Sequence, residues 1–453
     1  MNSVTAAKKY KRVIQLEFNE ISRDIIDKLI NEKGLLPNFK QINQNWTYFT
    51  TSSEKEYHLI EPWIQWCTVH TGKNFSEHKV FHLSDVHTLE YPQIWEELSH
   101  GGIESGIIGS MNITRGKCRG GTFFPDPWSQ KNQAYPKSLK HLWGLIAEKF
   151  QGYATTKMSL IDLLLMFKAC LPFKLSVSIY GRIYWQWLIQ KFKPKSKWKL
   201  AGIFDLLFAE IFKSILKSTN YGFYTLFLNV NAHYQHHYWR AFDMSPFNSD
   251  IKYSDIEEGD DPVTFGYQLY DEIIGDVLEI TKNDPDTLIM ILSGLSQVPY
   301  TQDEPQGGMN YYRLSNHKLF IKSLRLKGRA YPLMSRDWEY RYRNEAECKI
   351  ALETLSNLYV NNEKLFKLRQ DTPGYIFIET NYTKMVKPEE FITNQDNKQL
   401  FKFYDVFSNI AIKSGHHIGV GSLWVSDANM VTKNGEAFPL KNVYNITLSA
   451  LGK

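Results

Sequence analysis

The stretch FLNVNAHYQHHYW, Phe227 to Trp239, sets three imidazoles, His233, His236 and His237, beside Asn231 and Gln235, with no carboxylate among them. Neutral imidazole is a ligand for zinc and other divalent ions, so a carboxylate brought in from elsewhere would complete a metal site; without one, the same residues make a hydrogen-bonding rim. His233 and His237 are four residues apart and share a face if the stretch is helical, whereas a loop is the alternative directly after a strand. A second imidazole pair, His416 and His417, stands in GHHIGVG. Carboxylates that could join them are Glu17 in VIQLEFNE, where Asn19 and Glu20 are further polar neighbours, and Glu61 in EPWIQW, four residues before Gln65. Glu61 could act as nucleophile or general base. In MSRDW, Arg336 could bind a phosphate or carboxylate bidentately, or pair with a local acid such as Asp337. Asn112, at the end of GSMN, could hydrogen-bond a substrate hydroxyl, and Asn231, Gln235 and His416 are further candidate substrate contacts.

The elements that must position these residues are legible in the periodicity. RVIQLEF (Arg12 to Phe18) reads as a buried strand, and ISRDIIDKLI after it has helical apolar spacing. The alternation returns through PQIWEELSHGG into ESGIIGSMN, in YTLFLNVN, and through DEIIGDVLEITKN into DTLIMILSGLSQ. It predicts an α/β core, a mostly parallel sheet covered by helices on both faces, with ligands at the carboxyl ends of the strands. The segments to inspect are then EFNE, GSMN, NVNAHYQHH and SGLSQ.

A 453-residue chain that is 43% hydrophobic can bury a large core. Its net charge of +5 is small for this length and spread widely, which gives no support to a nucleic-acid partner. The four cysteines lie far apart, as suits a reducing compartment. No signal-peptide core and no membrane-spanning run is visible, so a cytoplasmic location is expected. Two stretches depart from the core pattern. Residues 151–220 are aromatic and helical; from Leu163 to Ala201 there are lysines but no Asp or Glu, a composition suited either to an anionic membrane surface or to a packed helical cap. Residues 300–397 form a second insertion, which divides the core into 1–150, 221–299 and 398–453.

Taken together, VIQLEFNE, EPWIQWCTVHTGKNFSEHKV, LIMILSGLSQ with GHHIGVGSLWV, and the terminal LKNVYNITLSALGK resemble the alkaline phosphatase superfamily, in particular its type I phosphodiesterase and nucleotide pyrophosphatase branch. The resemblance implies a three-layer core and a site in which two divalent metals, held by Asp and His, assist a Thr or Ser nucleophile. This chain departs from that pattern. Pro62 falls at the nucleophile position, beside Glu61; Gln65 falls where the branch has a phosphoryl-contacting Asn; Ala232, Gly294 and Leu295 replace metal ligands; Glu17 or Asn19 stands for the first Asp; His236 and His417 are kept. The two-metal mechanism is therefore not expected. One ion, zinc or another, on Glu17, His236 and His417, with Asn19 as a weak neutral ligand, is one reading; a metal-free polar pocket is the other.

Because each altered position has gained polar neighbours, the resemblance points to a re-purposed site. With Glu61, Gln65 and His233 as catalytic candidates, the substrate expected is an anionic phosphoester, sugar- or lipid-linked, such as a cell-surface polysaccharide precursor handled peripherally at the inner membrane face. The alternative is an inactive relative that binds a glycan or phosphorylated ligand.

Overall fold

The structure is a computed structural model; it describes residues 10–453 apart from 84, 130–132, 152–157, 249–250, 252, 254, 334–335, 371 and 432–435. Its centre is an eight-stranded sheet formed by β1 (Arg12–Phe18), β2 (Thr47–Ser52), β3 (Ser105–Ile108), β4 (Thr122–Phe124), β5 (Phe223–Leu228) and β6 (Thr287–Ser293), together with two strands from the C-terminal part of the chain. A separate two-stranded antiparallel sheet pairs β7 (Ser296–Pro299) with β8 (Gly415–Ile418), distant in sequence, and the remaining strands of the central sheet are β9 (Val420–Val425) and β10 (Phe438–Pro439). The order across the sheet is β10-β2-β9-β6-β1-β5-β3-β4. Only β9 runs antiparallel to its neighbours. The mostly parallel α/β core that the strand–helix alternation predicts is therefore present.

The sheet is buried on both faces, as parallel strands rich in Ile, Leu, Val and Phe require. Side chains alternate along β1: Ile14, Leu16 and Phe18 join one core, while Val13 joins the other. The first core packs under three helices, α4 (Lys199–Ser218), α5 (Val230–Phe242) and α6 (Pro262–Thr281), with Phe208, Tyr234 and Tyr270 among its buried rings. The second lies beneath α1 (Pro62–Thr71) and the C-terminal helix Asn442–Ala450, with Trp66, Val69, Trp95 and Ile446. Burying each such side chain is worth roughly 1.5–3 kcal/mol.

The stretch from 151 to 220 divides physically. Helix α4 belongs to the core layer, with Leu207, Ile211 and Phe212 buried, and two shorter helices, α2 (Leu160–Cys170) and α3 (Val177–Phe192), lie outside it. The second insertion has a hydrophobic core of its own, running from Tyr312 to Phe407 around Trp338, Tyr340 and Ile376, and carries two four-stranded antiparallel sheets. Among the described residues, no helix is long and apolar enough to cross a membrane.

Candidate metal and substrate site

Three segments that end at the same edge of the sheet bring together Glu20, His236 and His417. Glu20 follows β1 in the left-handed region, at φ 59°, a conformation that costs an L-residue roughly 1–2 kcal/mol and turns its carboxylate across the strand ends. His236 comes from α5. The start of that helix is fixed by the buried Asp205 carboxyl, which accepts from the backbone N–H of Asn229 at 3.1 Å and Val230 at 2.9 Å and from the Tyr270 hydroxyl at 2.9 Å. Burial pushes Asp205 up to about 7, against those hydrogen bonds. His417 sits on β8 opposite Gln297 of β7.

Glu20 Oε2 lies 3.0 Å from His236 Nε2 and 3.2 Å from His417 Nε2, and the two Nε2 atoms are 3.0 Å apart. Such a triangle matches the spacing of ligand atoms each about 2.0–2.2 Å from one ion. His236 Nδ1 faces the Gly415 carbonyl at 3.2 Å; donating there leaves its Nε2 lone pair directed at the cluster. Gln297 Nε2 donates to Glu20 Oε2 and to the Ala232 carbonyl, and Gln235 Nε2 donates to the Glu20 carbonyl at 2.8 Å. Burial works against the Glu20 carboxylate, yet the charges of His417 and His236 hold it well below the usual range. His417 is likewise opposed by burial, and Glu20 and Glu61 raise it to about 9.

Beside this cluster stands Glu61, the N-cap residue of α1, whose Oε2 is 3.5 Å from His417 Nδ1. Burial, aided by the charges of Glu20 and Asp337, pushes its carboxyl up to about 7, while His417 and Lys413 pull the other way. Lys413 is held down at about 8 by burial and by Arg336, against Glu61 and Asp303. Its Nζ is 4.3 Å from the centre of the Tyr300 ring. Arg336 donates from Nη2 to Glu379 at 2.6 Å and lies over Tyr311 at 5.1 Å. Its buried Nη1 finds no hydrogen-bond partner among the described residues. A carboxylate, an ammonium and a guanidinium thus interact with one another beside the Glu-His-His cluster.

Several expected residues lie elsewhere. Glu17 is not the carboxylate of the cluster: period-two alternation turns it to the opposite face from Leu16 and Phe18, where it is fully buried and meets His70 Nε2 at 2.9 Å and Gln15 Nε2 at 2.8 Å. Asn19 is no ligand either, since its amide donates to Glu20 and Asn229 and accepts from Trp66 Nε1 at 2.8 Å. Gln65 Nε2 donates to the Leu59 carbonyl at 2.9 Å, which secures the turn before Glu61, while its buried Oε1 has no hydrogen-bond partner among the described residues. The stretch after β5 is helical, so His233 packs on His237, with ring centres 4.3 Å apart, and burial holds its imidazole down at about 4. It stays neutral and apart from the Glu-His-His cluster.

The remaining substrate candidates divide similarly. Asn112 Nδ2 donates to the Trp63 and His82 carbonyls at 3.1 and 3.3 Å, which spends it on fastening loops. Asn231 is fully buried against Gly266, with neither amide atom hydrogen-bonded among the described residues, whereas the Gln235 amide is held by the Glu20 carbonyl and by the Tyr267 hydroxyl at 3.0 Å. His416 alternates away from His417 on β8, and its ring packs edge-on to Tyr300. Arg336 Nη1, Asn231 Nδ2 and His416 Nδ1 are buried without a hydrogen-bond partner among the described residues, and of these Arg336 carries a fixed charge. Lys413 escaped the sequence reading; its only signal there is its place three residues before His416.

At the positions where the resembled superfamily keeps further ligands, the chain is closed to an ion. A Cβ on Gly294 would meet Gln65 Cβ at 2.9 Å and Leu440 at 3.0 Å, and Leu295 and Ala232 are buried apolar residues. Among the described residues, Glu20, His236 and His417 form a group that could hold a metal ion.

No protein-family model matches the sequence, and no curated protein matches it. Among solved structures, the chain is similar to phosphonoacetate hydrolase from Sinorhizobium meliloti 1021, with 10% identity, 100% of this chain and 99% of that chain covered, and a TM-score of 0.43. It is also similar to the alkaline phosphatase from the Antarctic bacterium TAB5 (12% identity, 98% and 99% covered, TM-score 0.39). A third likeness is to human ectonucleotide pyrophosphatase/phosphodiesterase 5 (10% identity, 97% and 94% covered, TM-score 0.41). The chemistry of the cleft rests on its own side chains.

Proposed function

We propose that the chain is a divergent hydrolase or transferase of the alkaline phosphatase superfamily, acting on an anionic phosphoester with one divalent ion held by Glu20, His236 and His417. The observation that carries this reading is the meeting of those three ligand atoms, within 3.2 Å of one another, beside Glu61 and the Arg336–Lys413 pair. A zinc or similar ion bound there would polarise a phosphoryl oxygen as a Lewis acid. Glu61, placed next to His417, takes the proton of the attacking water or hydroxyl group; Pro62 has no group that could attack in its place. The Arg336 and Lys413 cations bind the anionic oxygens and hold the phosphorus in line. The rings of Tyr300 and Tyr311, which carry those cations, suit a sugar-bearing substrate.

The test is hydrolysis of bis-p-nitrophenyl phosphate and p-nitrophenyl phosphate by purified protein, before and after chelation and re-addition of zinc or manganese. Activity that depends on metal and falls in Glu61→Gln by the ~10²–10⁴-fold expected of a lost general base supports the reading. Full activity in Glu61→Gln removes Glu61 from the mechanism. A metal-loaded protein that binds phosphate without turnover is instead the inactive binder.

A further inference from the structure

We propose that α2 and α3 dock the protein onto an anionic lipid surface, a property independent of the chemistry in the cleft. Half of the most exposed large apolar side chains among the described residues fall within these two helices and the turn that joins them. Ile161, Leu164 and Leu171 lie along one side of α2 and its extension, and Val177, Trp185 and Phe192 along one side of α3, at helical spacing. Ile161 is 70% exposed, Val177 86%, Trp185 61% and Phe192 80%. The opposite faces are already committed to the protein: Leu163, Met166 and Cys170 on α2, and Ile179, Ile183 and Trp187 on α3, are buried in the first core. Each helix is therefore apolar on two sides, and only one of them is covered. The two helices touch through Phe167 and Tyr180, with ring centres 5.0 Å apart.

Charge decides what covers the other side. Between Leu163 and Ala201 there is no acidic residue, and Lys168, Lys174, Lys191, Lys193 and Lys197 have no carboxylate partner among the described residues. Phe192 stands between two of these lysines. A second copy docking face to face would oppose these lysines to their own kind. An anionic bilayer instead takes the apolar stripe into its acyl boundary, with Trp185 and Tyr184 at headgroup level and the lysines reaching phosphates. At 11 and 16 residues the helices are too short to span, which leaves them lying in the interface.

The experiment is co-sedimentation of the full chain with phosphatidylglycerol–phosphatidylcholine vesicles and with phosphatidylcholine alone, at low and high salt, alongside its size in solution. Binding is expected only to the anionic vesicles and to weaken with salt. Lys191→Glu, Lys193→Glu and Lys197→Glu should each weaken it by at least about fivefold, and Trp185→Ser with Phe192→Ser should weaken it at every salt concentration. Because all five side chains are exposed or at the rim, melting curves should match the wild type, so a binding loss is read from folded protein. No binding to anionic vesicles at low salt overturns the proposal and leaves the face to a protein partner. Equal binding by all variants, or a dimer dispersed by Trp185→Ser, overturns it too.

Discussion

Arg240 and Glu304 form an ion pair whose side chains are 2% and 5% exposed, close to the segments that carry His236 and His417 of the Glu-His-His cluster. Arg240 lies four residues beyond His236, past a kink at Tyr238 that interrupts α5; its backbone N–H donates to Ser414 Oγ at 3.2 Å, and the Ser414 N–H donates to the His236 carbonyl at 2.6 Å, three residues before His417. Replacing Arg240 by Met keeps the packing on Phe247, whose ring centre is 4.3 Å from the guanidinium, but removes the cation paired with the buried Glu304 carboxylate. Breaking a buried pair from one side costs about 3–5 kcal/mol, a large share of the 5–15 kcal/mol that holds a domain folded. Neutralising the other member as well, with Glu304→Gln, should recover most of that loss, because the penalty comes from removing one charge of the pair and keeping the other. The assay is urea unfolding of wild type, both single variants and the double variant, with bound zinc measured on the folded protein. Arg240→Met alone should also lower zinc retention. A loss below about 1 kcal/mol, or a double variant no more stable than Arg240→Met, would refute the argument.

Metal content separates the two carboxylates near the end of β1: Glu20→Gln, His236→Ala and His417→Ala should each abolish stoichiometric zinc, whereas Glu17→Gln should retain it, as read by elemental analysis after dialysis. Arg336→Ala should weaken inhibition by inorganic phosphate about 10–100-fold, the 1.5–3 kcal/mol of a charge-assisted hydrogen bond, measured by competition at fixed pH. Lys413 is charged below its pKa and burial has lowered that value to about 8, so phosphate affinity should fall as pH rises through 8. Lys413→Arg should abolish that limb, because a guanidinium stays charged.

The sequence made the sheet legible because buried parallel strands have few spellings: LIMILS and YTLFLN are runs that only a two-sided core accommodates. His236 and His417 were legible for a different reason, since each belongs to a local pattern, QHHYW and GHHIGVG. What could not be read was the direction of side chains at the strand ends. VIQLEFNE offers two acidic residues three apart, and alternation along β1 sends Glu17 beneath α1 to His70. Only the left-handed turn at Glu20 sends a carboxylate to the histidines, and no local rule assigns that conformation to glutamate.

The same turn explains where the cluster gets its carboxylate. Ala232, Gly294 and Leu295 beside it carry no side-chain ligand atom, and Glu20 supplies the carboxylate from the end of β1. Gln297, on β7, holds Glu20 Oε2 and the Ala232 carbonyl at once, so one amide fastens that carboxylate to the backbone of α5. A left-handed glutamate, a glutamine aimed at it and two imidazoles within 3.2 Å thus converge on one point. Whether that convergence holds the backbone strain for an ion is what zinc retention in Glu20→Gln, His236→Ala and His417→Ala decides.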